Sequence, residues 1–392
     1  MRAKKTAAVL MALSLGVVAA ACGDDEEEGA STEGGSSETT AAGGTDTTAA
    51  AGGDAVCPSD LVIQTDWFPE LEHGGTYQLI GPNGTADKAT VSYSGPVQPQ
   101  YAVGGLETIT IKTVNFDKAN SSTLLDGDAD MAYSGFGDVI KDSAAIDMVT
   151  IMKTLDKDPQ MLMWDPTQHD IQEPADIAAT GARVLHFPGP AYIDYLIGKG
   201  YMTAEQSDPS YDGSDAKWVA DGGSYFQQGF ASNEVWKYEN EISWKDGAPA
   251  DVSFFTVGEM GFDNYPASMT MMKTRAEELD ACLTLLVPKM AQAWVDFFND
   301  PKPITDAMIQ INETHDGFWG LSAGLNAAGL QVVEDMLLGA NSADGTYCSI
   351  DPERAQAIYD TVKPIYDAQG VTVVDDVTTL YTNKYCAGAP GR

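Results

Sequence analysis

Short apolar runs separated by polar turn residues set the pattern of this chain from residue 61 onward. The runs at 61–65 (Leu-Val-Ile-Gln-Thr), 108–112 (Thr-Ile-Thr-Ile-Lys) and 130–133 (Asp-Met-Ala-Tyr) predict strands. The first two are rich in β-branched side chains, and short runs bounded by turn residues fit a pleated surface better than a helix face. Residues 122–126 predict a short helix ending near Gly127, and 147–155 a further strand leading outward. A second block repeats the alternation, with strands at 161–164, 183–187, 229–231 and 252–257 and a helix at 192–200. Alternation of this kind is α/β. The period then changes. From Leu279, apolar residues recur at Cys282, Leu283, Leu286, Val287, Met290, Trp294 and Phe297, which is helical spacing, with a kink expected at Pro288. A last helix is expected to start at the cap Asp351 with Pro352 in first position and to stop at Gly370. Its buried stripe is Ala355, Ile358, Tyr359, Val362, Ile365 and Tyr366, with Pro364 as a second expected kink. No internal repeat is visible.

The first 21 residues follow a different rule. Arg2, Lys4 and Lys5 precede a wholly small or apolar stretch from Ala7 to Ala21, broken only by Ser14. Fifteen such residues are short of the roughly 20 that span a bilayer. The order charged, apolar, small predicts a secretory signal peptide over 1–21. Residues 23–54 contain only Gly, Ala, Ser, Thr and nine acids, so they are expected to form a disordered, solvated tether, about 30 Å end to end.

Charge narrows the function classes. The 392 residues carry 22 Lys+Arg against 58 Asp+Glu, a net charge of -36, and loss of residues 1–21 takes this to -39. Phosphate neutralisation needs clustered bases, so a nucleic-acid partner is excluded, as is a basic membrane-binding face. The four histidines are scattered and no H-E-x-x-H occurs, so no metal site is expected. The Walker loop and the G-x-G-x-x-G fingerprint are absent from the sequence. The run Asp126-Gly127-Asp128-Ala129-Asp130 fails as a calcium loop, because Met131 and Gly137 stand where Gly and Glu are required.

Cysteine usage fits export. Besides Cys22, the chain has Cys57, Cys282, Cys348 and Cys386, which allow three disulfide connectivities. Cys57 and Cys386 lie near the two ends of the globular part, so the expected pairs are Cys57–Cys386 and Cys282–Cys348.

Candidate binding residues sit just after predicted strands, where open α/β sheets hold their ligands. Asp66 and Trp67 follow the first strand, and an indole there offers stacking area and an N–H. Ser134 and Phe136 follow the third strand at a helix start, where free N–H groups favour anions or carbonyl oxygens. Gly189, within Phe187-Pro188-Gly189-Pro190, and Tyr192 hold the equivalent place in the second block.

Several of these segments carry a resemblance. Residues 66–75 (Asp-Trp-Phe-Pro-Glu-Leu-Glu-His-Gly-Gly) resemble the D-W-x-P-x-x-x-H-x-G signature of the thiamine-pyrimidine-precursor family. That family includes substrate-binding proteins of ABC importers and a related pyrimidine synthase. Gly127-Asp128-Ala129-Asp130, Asp176-Ile177 and Gly181-Ala182-Arg183-Val184 are similar to further family segments, as is the run 228–234 ending at Glu234. Val18-Ala19-Ala20-Ala21-Cys22 resembles the lipobox of bacterial lipoproteins.

The resemblance implies a two-lobed, type II periplasmic-binding-protein fold of class α/β, with a ligand in the interlobe cleft. Lobe one would comprise 57–156 and the helical 273–392, and lobe two 157–272, after a signal peptide at 1–21 and a lipidated, tethered 22–56. It implies an extracytoplasmic solute-binding lipoprotein, anchored through Cys22, monomeric, without cofactor or catalytic residues, that delivers a small planar heterocycle to a permease and its ATPase. His73 and Glu234 join Asp66, Trp67, Ser134, Phe136, Gly189 and Tyr192 as expected ligand contacts. A secreted enzyme related to the pyrimidine synthases and a ligand-sensing receptor lobe are the alternatives. The synthase branch has a cysteine cluster that this chain lacks. Arginine recognises carboxylate-like anions through two parallel hydrogen bonds. None of Arg183, Arg275, Arg354 or Arg392 adjoins the motifs after the first and third strands, so a sulfonate or nitrate ligand is disfavoured.

Overall fold

A computed structural model describes residues 55–392. Cys22 and the expected leader and most of the tether lie outside the described residues. Twelve strands follow in chain order: β1 (Asp60–Gln64), β2 (Thr85–Asp87), β3 (Ser92–Pro96), β4 (Thr108–Lys112), β5 (Met131–Ser134), β6 (Met148–Lys153), β7 (Gln160–Trp164), β8 (Val184–Leu185), β9 (Ser207–Asp208), β10 (Phe226–Phe230), β11 (Ser253–Thr256) and β12 (Ser268–Met272).

They form two sheets. The first runs β2-β3-β4-β1-β5-β12-β6 and the second β11-β7-β10-β8-β9. In the first sheet β1 is central and pairs in parallel with β4 (Leu61 opposite Ile109, Ile63 opposite Ile111) and with β5 (Ile63 opposite Met131). Each of these apolar side chains is at most 1% exposed. Parallel strands buried on both faces need covering helices, and the 20-residue helix Asp280–Asn299 supplies one with Leu283, Met290, Trp294 and Phe297. It runs through Pro288 as one element. The helix Pro352–Gln369 has the expected ends: the Asp351 carboxylate accepts from the Glu353 and Arg354 N–H groups, and Gly370 closes it in the left-handed region at φ 74°.

Two expectations on organisation need correction. Residues 268–272, assigned from sequence to the second lobe, form β12, which pairs antiparallel with β5 and β6 of the first sheet. The chain therefore returns to the first sheet before Ser268. The helix Pro352–Gln369, expected in the first lobe, buries Ile358, Tyr359 and Tyr366 in a core that joins Phe136, Val139 and Ile140 of the helix Phe136–Asp142 to Ile193, Tyr195 and Leu196 of the helix Ala191–Lys199.

The disulfides are Cys57–Cys282 (Cα–Cα 4.7 Å) and Cys348–Cys386 (5.6 Å), not the expected pairs. Cys57 sits just ahead of the central strand, under the long helix that carries Cys282. Cys348 and Cys386 meet at edge strand β6, where the Lys153 N–H donates to the Cys348 carbonyl at 3.0 Å and Cys386 lies beside Ile151. Sheet position, not nearness to a chain end, selects the partners. Among the described residues, no helix is long and apolar enough to cross a membrane.

Candidate functional site

The turn after β1 is fixed before any ligand is considered. The Thr65 N–H donates to the Lys112 carbonyl (2.9 Å) and its hydroxyl to the Trp67 carbonyl (2.7 Å), which ties the strand end to β4. A 3-10 turn at Leu71–His73 and a short helix Gly74–Gln78 follow. A Cβ on Gly74 would lie 2.2 Å from the Phe297 ring, and one on Gly75 2.2 Å from Trp294. Only glycine lets this helix reach the long one. The close packing aims Asp66, Trp67 and Glu70 at the second sheet.

That sheet provides the opposite wall. Gln228 on β10 accepts from the Phe187 N–H (2.6 Å) and the Tyr192 hydroxyl (2.8 Å), tying the loop after β8 to the sheet. Glu234 starts the next helix and its carboxylate accepts from the Phe230 N–H at 2.6 Å. Between the walls lies a cavity of about 210 Å³, lined from the first sheet by Asp66, Trp67 and Glu70 and from the second by residues that include Phe187, Tyr192, Tyr211, Gln228 and Glu234. Trp67 touches both walls. Its ring centroid is 5.5 Å from Phe187 across the cleft and within 5.9 Å of Phe68, Phe116 and Phe318.

Carboxylates crowd this space. Burial pushes the Glu70 carboxyl well above its usual range, and the negative charges of Glu72, Asp66 and Glu234 add to the effect. Burial raises Glu234 to about 7. Burial also raises Glu72, opposed by a hydrogen bond from the Ser232 hydroxyl across the cleft. No Lys or Arg lines the cavity. Asp66, Glu70 and His73 each present one possible metal-ligand atom within 4.8 Å of the others.

Solved structures of similar architecture identify the fold. A protein from Bordetella bronchiseptica RB50 superposes with a TM-score of 0.54 at 14% identity, covering 84% of this chain and 96% of that one. The periplasmic aliphatic sulphonate binding protein SsuA from Escherichia coli gives 0.53 at 12% identity (82% and 92% covered). The periplasmic nitrate-binding protein NrtA from Synechocystis PCC 6803 gives 0.53 at 11% (85% and 88%). No protein-family model matches the chain, and no curated protein does. The fold is that of the periplasmic binding proteins. Its two α/β lobes and the space between them agree with the type II arrangement.

The cleft gathers four of the eight expected contacts: Asp66, Trp67, Tyr192 and Glu234. His73 lies behind them. It is wholly buried, its Nε2 donates to Asp66 Oδ1 at 2.7 Å, and its ring edge meets Tyr133 at 4.9 Å. It therefore orients Asp66 rather than facing the cavity.

Ser134, Phe136 and Gly189 do not line the cavity. Ser134 ends β5 opposite Ser268. Phe136 is 0% exposed and packs on Tyr265 and Tyr381. The N–H groups expected to bind ligand at its helix are already used: Phe136 donates to the Tyr265 carbonyl, Gly137 to Asn264 Oδ1. At the second helix start, Asp138 accepts the Ala191 N–H, and the Gly189 carbonyl accepts from Lys141. Helix ends satisfied by protein have no donors left for a solute.

Sequence reasoning missed Glu70, Phe187, Tyr211 and Gln228. Glu70, Phe187 and Gln228 sit inside segments already singled out, and that was the available signal. Tyr211 lies in a Ser/Asp/Gly-rich loop with no periodicity, which offered none.

Proposed function

We propose that this chain is the extracytoplasmic, lipid-anchored solute-binding component of an ABC importer and that its cleft captures a small flat nitrogen heterocycle. The observation that carries this reading is the cavity walled by both lobes, with an indole on one side and an aromatic and carboxylate wall on the other. A ligand touching both walls stabilises the closed form and so shifts the open–closed population, which is the signal a permease can read. Aromatic faces supply contact area for a flat ring, and the Glu234 carboxyl supplies an orienting polar group. The volume is below the ~300–1,000 Å³ of drug-sized sites, which suits one or two rings. The solved neighbours named for sulphonate and nitrate binding support the transport role, while the acidic lining here argues for a different solute.

No bond-making chemistry is assigned to the chain. The Asp66, Glu70 and His73 group favours one second reading, a metal-dependent enzyme. Mass spectrometry and metal analysis of natively purified protein decide between them. A stoichiometric heterocycle released on denaturation supports capture. Stoichiometric iron or zinc, with turnover of the released molecule, supports the enzyme.

A further inference from the structure

The lining of the cleft is one-sided in charge. Asp66, Glu70 and Glu234 reach the cavity and no base does. The nearest basic candidate, Lys237, is committed elsewhere: it donates to the Gly320 carbonyl at 2.6 Å, pairs with Glu241 at 3.4 Å and covers the Trp319 ring at 4.7 Å. A second observation is independent of the acids. Tyr211 is 5% exposed and lines the same cavity, yet its hydroxyl has no hydrogen-bond partner among the described residues. A buried hydroxyl without a partner is costly and marks a place where a ligand atom completes the bonding. A third is the electron-rich aromatic surround of Trp67, Phe187 and Tyr211.

We propose that the captured heterocycle is a cation, held in contact with the Trp67 and Phe187 rings, with its positive ring facing Glu70 and Glu234 and a polar substituent reaching Tyr211. This rests on the reading of the cleft as a heterocycle site. A cation in this space gains twice. Aromatic faces attract positive charge, and most strongly where water is excluded. Burial and mutual repulsion favour the protonated forms of Glu70 and Glu234 in the empty cleft, and a bound cation favours their ionised forms by supplying a counter-charge that the protein itself does not provide. A neutral ring of the same shape gains only the contact area, and an anion meets repulsion.

The test uses one ring in three charge states, titrated by calorimetry in EDTA into protein refolded to remove any bound solute. The probes are 1-methylnicotinamide (cation), nicotinamide (neutral) and nicotinate (anion). The cation is expected to bind about tenfold or more tighter than nicotinamide, with nicotinate the weakest. Glu70→Gln, checked for folding by its melting curve, is expected to shrink the ratio of cation to nicotinamide affinity. Equal binding of cation and neutral ring, or preference for nicotinate, overturns the charge assignment and leaves the heterocycle reading standing. Binding of none of the three by folded protein overturns the heterocycle reading itself, and the charge assignment with it. Retention of the full cation preference in both Glu70→Gln and Glu234→Gln also overturns the charge assignment.

Discussion

Two demands meet at Glu234. Its carboxylate accepts the Phe230 N–H and so shapes the wall, and it also lines the cavity. Replacing it with Gln keeps an acceptor but removes the charge, so the fold should survive. A hydrogen bond to a charged group contributes about 1.5–3 kcal/mol, so Glu234→Gln is expected to weaken binding of the native ligand roughly tenfold to a hundredfold by calorimetry. Trp67→Ala should cost at least as much, because it removes both the stacking face and the ring that bridges to Phe187. If both variants fold and bind as wild type does, the solute sits elsewhere. His73 illustrates what a motif conceals at this scale. Its place seven residues after Asp66 was visible in the sequence, but whether its ring faced the cavity or the core depended on Tyr133, which arrives from another strand.

At the scale of elements, the closing contact between lobes depends on a glycine. Gly213 has φ +84°, and a Cβ there would lie 2.2 Å from the Trp67 ring. Gly181 also has a positive φ, of +65°, but a Cβ there meets nothing within 4 Å. Gly181→Ala therefore reports the backbone penalty alone. Gly213→Ala adds a clash with Trp67 and is expected to lose roughly tenfold more ligand affinity than the control, about 1.4 kcal/mol. Equal losses in the two variants would show that contact with Trp67 does not support binding. The helix caps lead to a separate expectation. Asp351→Ala removes the acceptor of two N–H groups and should cost about 1 kcal/mol in denaturant unfolding without touching ligand affinity.

For the whole molecule, the buried acids set a pH dependence. Burial raises Asp158 and Glu234 to about 7 and Asp138 to about 6, so the native state holds protons that the unfolded chain has released. Their stabilising contribution is complete below the ordinary carboxyl range and is lost as pH rises through about 7. The thermal midpoint of ligand-free protein is expected to fall between pH 5 and pH 8, and to fall less in Glu234→Gln. A midpoint flat over that range would contradict these assignments. The disulfides act on the same scale. Cys57–Cys282 joins residues 225 apart, and its loss is expected to cost about 2–5 kcal/mol, more than the 38-residue Cys348–Cys386. Non-reducing peptide mapping checks the pairing directly. For the anchor, Cys22→Ala in a lipoprotein-processing host should release the protein to the soluble fraction.

The sequence by itself determined what local physics can decide. Strand runs such as 108–112 announce themselves through β-branched side chains. The long helix shows its apolar period, and Asp351-Pro352 and Gly370 mark helix ends because capping needs only near neighbours. Asp66 and Trp67 were legible because they follow a strong strand directly. What needed distant partners was not legible. β12 has the composition of many strands, and only the open slot between β5 and β6 assigns it to the first sheet. Phe136 and the helix starts looked available because nothing nearby in sequence reveals that Tyr265, Asn264 and Asp138 take up their N–H groups. The cysteine pairs followed the sheet edge and the overlying helix, not position along the chain. The acidic and aromatic character of the cleft is likewise a tertiary property. Glu70, Tyr211 and Glu234 are unremarkable acids and rings until two lobes bring them against one cavity and burial makes their charge and their unpaired hydroxyl costly.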